Sequence, residues 1–203
     1  MLGLRAGVLE RVSDTVTPQP VCAVAEAPDV PLEAVLAAPE LRQAPLLVCV
    51  AVRDPGNLGA ILRSADATGC AGVVVCGESA DPYNPKVVRA SAGAIFRVRL
   101  ALAGEANATL ARLAAARVRR LSTVAHGGED HLLANLDPPV ALVLGNEASG
   151  LAPEVAGGLE GAVTISTAGR GESLNVAMAA TVLCFEAARR RRLAEAAPAE
   201  HLR

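Results

Sequence analysis

Leu46 to Val52 is seven consecutive apolar residues, LLVCVAV, and this run restricts the fold more than any other stretch. A strand with one wet face alternates apolar and polar residues; one without alternation is buried on both faces, as in sheets covered by helices on each side. The chain beyond Val52 keeps that pattern. A turn, RDPGNLG, leads to a helix over 58–68 in which Ile61, Leu62 and Ala65 recur at helical spacing, and Gly69 ends it. Gly72 to Cys76 reads as the next strand. A helix from about Asn84 to Ala94, a short strand near Phe96 to Leu100 and an Ala/Leu helix from Glu105 to Arg117 come after it. Strands at Leu121 to Ala125, Val140 to Leu144 and Ala162 to Ile165 complete the series, the last running into a long apolar helix. Strand and helix alternating through short links imply an α/β fold, a mostly parallel sheet with helices on both faces.

The first 45 residues read differently. Short apolar pieces, Val8 to Val12 and Val21 to Ala25, are separated by Pro-rich spacers at 17–20 and 28–31, which fits a short strand and a helix or a linker. The charged residues after Arg189 read as a fraying tail.

Hydrophobic residues are 52% of the 203 and aromatic ones 1%, so the core is built from Ala, Val and Leu, and recognition of RNA bases by stacking platforms is nearly excluded. A net charge of −2 provides no general field for a polyanion. Arg117, Arg119 and Arg120, and then Arg189 to Arg192, are local basic clusters that fit solvated helix ends better than a binding patch. The five cysteines show no CxxC spacing and sit in apolar runs, as buried thiols do in a reducing cytoplasm. His126, His131 and His201 have no metal-ligand spacing and lie far in sequence from the glycine-rich stretches; no metal is expected. No segment has the length of a membrane-spanning helix.

Three strand ends carry the polar chemistry. In RDPGNLGAILR, Pro55 and Gly56 turn the chain, Asn57 is placed to cap the helix, and Arg63 lies among Leu58, Ile61, Leu62 and Ala65. An arginine in such company needs a reason to be there, and a salt bridge to a carboxylate such as Asp66 or Glu147 is one. In VLGNEASGL, Gly145 and Gly150 bracket Glu147. In ISTAGRGESLNV, Gly169 and Gly171 permit close backbone approach, with Ser173 expected as the N-cap and Asn175 within the first turn. Loops leaving the carboxyl ends of parallel strands meet along one edge, so Asn57, Arg63, Glu147, Ser173 and Asn175 can form a single polar site. A dinucleotide-binding loop is a weaker reading, since Leu174 occupies the third glycine position and no acidic residue stands at the required distance beyond it.

These stretches resemble, in order, the three motifs of the SpoU/TrmH-type 2′-O-ribose RNA methyltransferases of the SPOUT class. The resemblance covers roughly residues 45 to 192. Its Asn-x-Gly-x-x-x-Arg pattern stands as Asn57, Gly59 and Arg63, its Gly-x-Glu-x-x-Gly pattern as Gly145, Glu147 and Gly150, and its Ser-Leu-Asn-Val signature as Ser173 to Val176. RASAGAIF, residues 89 to 96, is similar to a family segment that lies toward the substrate.

The resemblance implies a C-terminal trefoil knot holding S-adenosylmethionine against Leu144, Gly145, Ile165, Thr167, Gly169 and Leu174. It further implies a homodimer with the site near the interface, and an RNA substrate, ribosomal ahead of transfer RNA. Arg63 would hold a phosphate, Asn57 and Asn175 would orient the ribose, Glu147 would fix the arginine, and Ser173 would contact substrate or pin the loop. Residues 1–44 would be the remnant of an N-terminal RNA-binding domain or a linker, 45–192 the methyltransferase domain and 193–203 a charged tail. The sequence departs from the family at Ser166-Thr167, where Pro-Met is usual, and at Ala177, where Ser is common. A non-catalytic RNA-binding or ribosome-assembly module that kept the fold is the alternative.

Overall fold

The computed structural model describes residues 3, 5–12, 19–169 and 173–196. Seven strands among them form one sheet, β1 (Leu46–Val50), β2 (Gly72–Cys76), β3 (Leu100–Leu102), β4 (Arg119–Thr123), β5 (Glu129–Asp130), β6 (Val140–Leu144) and β7 (Gly161–Thr164). Their order is β3-β2-β1-β6-β4-β7-β5, and all six pairings are parallel. The chain first steps outward from β1 to β3, crosses back to lay down β4 and β5, and then inserts β6 beside β1 and β7 beside β4. The winding direction reverses beside β1, which opens a crevice at the carboxyl ends of the central strands.

Both faces are covered. Leu47, Cys49, Leu142 and Leu144 point into a core closed by α3 (Pro55–Thr68), α4 (Pro85–Ala90) and α7 (Val176–Ala196). The alternate residues Leu46, Val48, Ala141 and Val143 point into a second core closed by α2 (Leu32–Leu36), α5 (Ala106–Ala115) and α6 (Pro153–Ala156). Every residue of β1, β2 and β6 is buried, which is why these strands carry no polar side chain.

Several boundaries differ from the sequence expectation for local reasons. α3 starts at Pro55 because Asp54, not Asn57, is its N-cap: the Asp54 carboxylate accepts the Asn57 N–H at 2.8 Å, and Pro55 loses nothing in the first turn. The helix ends, as expected, at Gly69 in the left-handed region. α4 stops at Ala90, since Ala92 and Gly93 both adopt positive φ; Phe96 falls in a 3-10 turn and β3 begins only at Leu100. Gly59 faces this segment, where a Cβ would stand 2.4 Å from Ala90 Cβ, so it is a packing glycine that lets α3 and α4 touch. The two-residue β5 and four-residue α6 carry no periodicity and were not anticipated. Ahead of Leu46, the described residues hold α1 (Leu9–Val12), α2 and a 3-10 turn but no strand; Val21 to Ala25 lie exposed. The expected knot depends on how the chain from Ile165 to Asn175 passes the 145–151 turn, and residues 170–172 of that path lie outside the described ones.

α7 continues as a helix to Ala196, beyond the point where fraying was expected. Arg189 and Arg192 are exposed, as expected of a solvated helix end, but the two arginines between them are tied down. Arg190 donates to the Ala134 and His131 carbonyls at 2.6 and 2.8 Å, and Arg191 donates to the Thr68 carbonyl at 2.9 Å, tying the helix to the body. Glu186, 8% exposed, accepts from Arg189 and Arg190 at 2.7–2.8 Å. The Arg189 hydrogen bond, opposed by burial and aided by Arg190, brings its carboxyl down to about 2. A lowered folded pKa adds stability that is fully present above the unfolded value of ~4.3 and is lost as pH falls through the folded one. Denaturation followed from pH 6 to pH 2 should therefore show a decline that Glu186→Gln flattens, with the variant less stable at pH 6 by on the order of 2 kcal/mol.

Candidate active site

Three of the five polar residues expected to converge form a continuous hydrogen-bonded chain. Glu147, delivered by the turn after β6, accepts the Asp54 N–H and the Asn57 side-chain amide at 3.0 Å each on one oxygen, and the Arg53 N–H at 3.2 Å on the other. The Asn57 carbonyl oxygen accepts from the Asn175 amide at 2.9 Å. Asn175 Oδ1 in turn accepts the N–H groups of Ala177 and Met178 at 2.9 and 3.3 Å, so Asn175, not Ser173, caps α7. The orientation of both amides is set by the ends of the chain. Asn175 must present its oxygen to the helix and its nitrogen to Asn57, and Asn57 must present its own nitrogen to the carboxylate. The beginnings of α3 and α7 are thereby locked to the β6 turn.

Burial pushes the Glu147 carboxyl up, but the Asn57 amide and the Asp54 and Arg53 N–H groups outweigh it and hold the group below the usual glutamate range. It is a charged, fully engaged acceptor rather than a proton acceptor in waiting.

The turn carrying Glu147 is built by a residue that sequence reasoning passed over. Asn146 pairs with Gly150 through two backbone hydrogen bonds, at 3.0 and 2.9 Å. Its side-chain oxygen accepts from the Ala148 and Ser149 N–H groups, and its amide donates to the Ala51 carbonyl at 3.0 Å. Ala51 is itself held at φ 55 where β1 gives way to the Arg53–Asp54 corner. The legible signal was Asn146 followed by Glu-Ala-Ser-Gly, two residues past the end of β6, an Asx-turn composition.

Beside this network lies a cavity walled by the ends of β4, β6 and β7 and the start of α7. Of the expected cofactor contacts, Gly145, Ile165, Thr167 and Leu174 line it, as do Glu147 and Ser173. Leu144 is wholly buried beneath it, and Gly169 is exposed and outside its lining. Thr123, Val124 and Ala125 form a wall that the motifs do not mark, because their contribution comes from position at a strand end rather than from composition.

Arg63 does not join the network. It is exposed on α3, more than one turn beyond Asn57, and no described residue forms a hydrogen bond or ion pair with it. Its two sequence candidates are committed elsewhere: Asp66 pairs with Arg97 at 2.6 Å, and Glu147 is taken up by Asn57 and the Arg53–Asp54 backbone. The expectation that Glu147 fixes this arginine is thus corrected; the carboxylate fixes Asn57 and the Arg53–Asp54 corner instead. His131 also stands nearer the site than its sequence position suggested, since its N–H donates to the Thr164 carbonyl at 2.8 Å. No group of side chains among the described residues has the makings of a metal site, and no described helix is long and apolar enough to cross a membrane.

Comparison with known proteins identifies the relatives of this chain. Residues 44–185 match the SpoU rRNA Methylase family. The chain is 39% identical over 143 residues to a 23S rRNA (uridine(2479)-2′-O)-methyltransferase of Streptomyces viridochromogenes, covering 68% of this chain and 50% of that protein. It is 30% identical over 174 residues to the 23S rRNA (guanosine(2553)-2′-O)-methyltransferase RlmP of Bacillus subtilis, covering 86% and 66%. The chain thus spans between half and two thirds of these relatives. Among solved structures, the SpoU methyltransferase AviRb from S. viridochromogenes in complex with AdoMet superposes with a TM-score of 0.70 at 33% identity, over 74% of this chain and 59% of that one. An AdoMet-bound rRNA methyltransferase from Sinorhizobium meliloti superposes with a TM-score of 0.72 at 35% identity, over 79% and 60%.

Proposed function

This chain belongs to the SpoU rRNA methylase family, and from that premise we propose that it transfers a methyl group from S-adenosylmethionine to a ribose 2′-hydroxyl of RNA, ribosomal RNA ahead of transfer RNA. The observation that carries the reading is the Glu147–Asn57–Asn175 chain, whose Glu147 end lines a cavity of mixed polar and apolar walls.

The cavity suits the cofactor. Ile165, Val163, Leu174 and Val176 offer apolar surface to a flat heterocycle, Gly145 brings bare backbone to the floor, and the charged Glu147 favours a cation nearby. When bound, the cofactor supplies an electrophilic methyl carbon on a sulfonium. The residues have to align the ribose oxygen with that carbon and stabilise charge as the hydroxyl loses its proton. Asn57 and Asn175, held by Glu147 and by α7, orient the ribose; Ser173 lines the same mouth and contacts substrate or the loop. Arg63, exposed and uncommitted to any described carboxylate, anchors an RNA phosphate in this reading. A guanidinium keeps its proton, so it is an anchor and a stabiliser of the forming alkoxide rather than a base.

A homodimer in the cytoplasm fits the surface. Met178 and Phe185, two turns apart on α7, are 62% and 49% exposed among the described residues. With few aromatics and no broad positive field, recognition rests on RNA shape and phosphate contacts. Mapping 2′-O-methyl positions in total RNA with and without the gene tests the reading. One or a few ribose methylations, in ribosomal RNA, should vanish with the gene; an unchanged methylation map would refute it.

A further inference from the structure

The loop from β7 to α7 supplies Ile165 and Thr167 to the cavity, with Ser166 between them. A proline at that position would restrict the loop through its fixed φ. Here a side-chain bond does so: Ser166 Oγ donates to Asp130 Oδ2 on the edge strand β5.

Asp130 is itself anchored. Its other oxygen accepts the Leu132 N–H at 2.8 Å, and its backbone pairs with Thr164, the residue two before Ser166. The His131 N–H donates to the Thr164 carbonyl at 2.8 Å, and Thr164 Oγ1 donates to the carbonyl of Ala125, another cavity residue, at 2.9 Å. Gly128 permits β5 to lie this close, since a Cβ there would stand 2.8 Å from the Val163 carbonyl carbon. The ends of β4, β5 and β7 are therefore tied into a ring, and Ser166 fastens the loop to it one residue before Thr167. Both side chains lie at the rim, outside the two cores.

We propose that Asp130 and Ser166 are a positioning pair that holds Ile165 and Thr167 in the cofactor-binding conformation, doing by hydrogen bond what proline does by covalent restriction. The inference rests on the reading of the cavity as an S-adenosylmethionine site. Neither residue touches the cofactor; they act through Ile165 and Thr167.

The test is calorimetric titration of S-adenosylmethionine into the wild-type chain and into Asp130→Asn, Ser166→Ala, the double variant and Asp130→Asn/Ser166→Pro. Each single change should weaken cofactor binding about tenfold, equivalent to about 1.4 kcal/mol. The double variant should be no weaker than either single one, as for two halves of one interaction. Proline should restore most of the affinity in the Asp130→Asn background. The melting temperature and the KM for RNA should stay within error, which a merely structural bond would not predict. Wild-type affinity in either single variant, or no recovery with proline, overturns the pair. A wild-type chain that gives no heat with the cofactor overturns the functional reading itself, and the pair with it.

Discussion

Replacing Arg63 with alanine is expected to lower kcat/KM for methyl transfer to RNA at least ~100-fold, about 2.7 kcal/mol of transition-state stabilisation. The cofactor dissociation constant and the melting temperature should not move. The expectation comes from where the side chain stands. Arg63 is exposed, bonds to no described neighbour and lies outside the cavity, so its loss removes nothing that holds the fold or the cofactor. What it removes is a permanent cation on the helix that begins at Pro55, with no described carboxylate compensating it. Arg63→Lys should recover only part of the activity, since a lysine is a point charge without the planar fork that grips two phosphate oxygens. Near-normal transfer by Arg63→Ala would remove the arginine from the mechanism and leave the asparagine pair to act alone.

Gly145→Ala should abolish measurable cofactor binding and destabilise the chain by about 2–4 kcal/mol. A Cβ at this position would stand 2.5 Å from the Gly150 carbonyl carbon and 2.7 Å from both the Gly150 oxygen and the Leu151 nitrogen. All three are backbone atoms, so no side chain can swing away and the turn has to open. Opening it breaks the two Asn146–Gly150 bonds and withdraws Glu147 from Asn57, Asp54 and Arg53. One methyl group therefore reaches the cavity floor and the asparagine relay together. Thermal melting and calorimetry on the same sample separate the two losses. A variant that melts early yet still binds cofactor would mean that the turn shapes the fold and not the site.

The sheet was legible because its central strands are buried on both faces and so carry uninterrupted apolar runs; β2 and β6 fall on the predicted residues. β5 and α6 were not, since two paired residues and one helical turn are too short to show a period. The end of α4 was missed for a different reason. Ala92 is left-handed although alanine gives no warning of it, and the fold imposes what local preference would not choose.

At the site, Asn57, Glu147 and Asn175 were readable from residue type and strand-end position, but their mutual bonding was not. Sequence could say that Arg63 needs a partner, and it offered Glu147 as a charged candidate. Glu147 is taken up instead by two backbone N–H groups and an amide. Neutral donors leave no trace in a charge pattern, and the same blindness hid Asn146 and placed the α7 cap on Ser173 rather than Asn175.

The central claim is that the cavity between the β6 turn and the start of α7 is an S-adenosylmethionine site, joined through Glu147 to the Asn57–Asn175 pair. Titrating S-adenosylmethionine into the full chain in a calorimeter, with Asn175→Ala beside it, addresses this most directly. Saturable binding of one cofactor per chain, weakened in the variant, is the predicted result. A flat titration with the folded wild-type chain would contradict it and leave the fold serving a non-catalytic role.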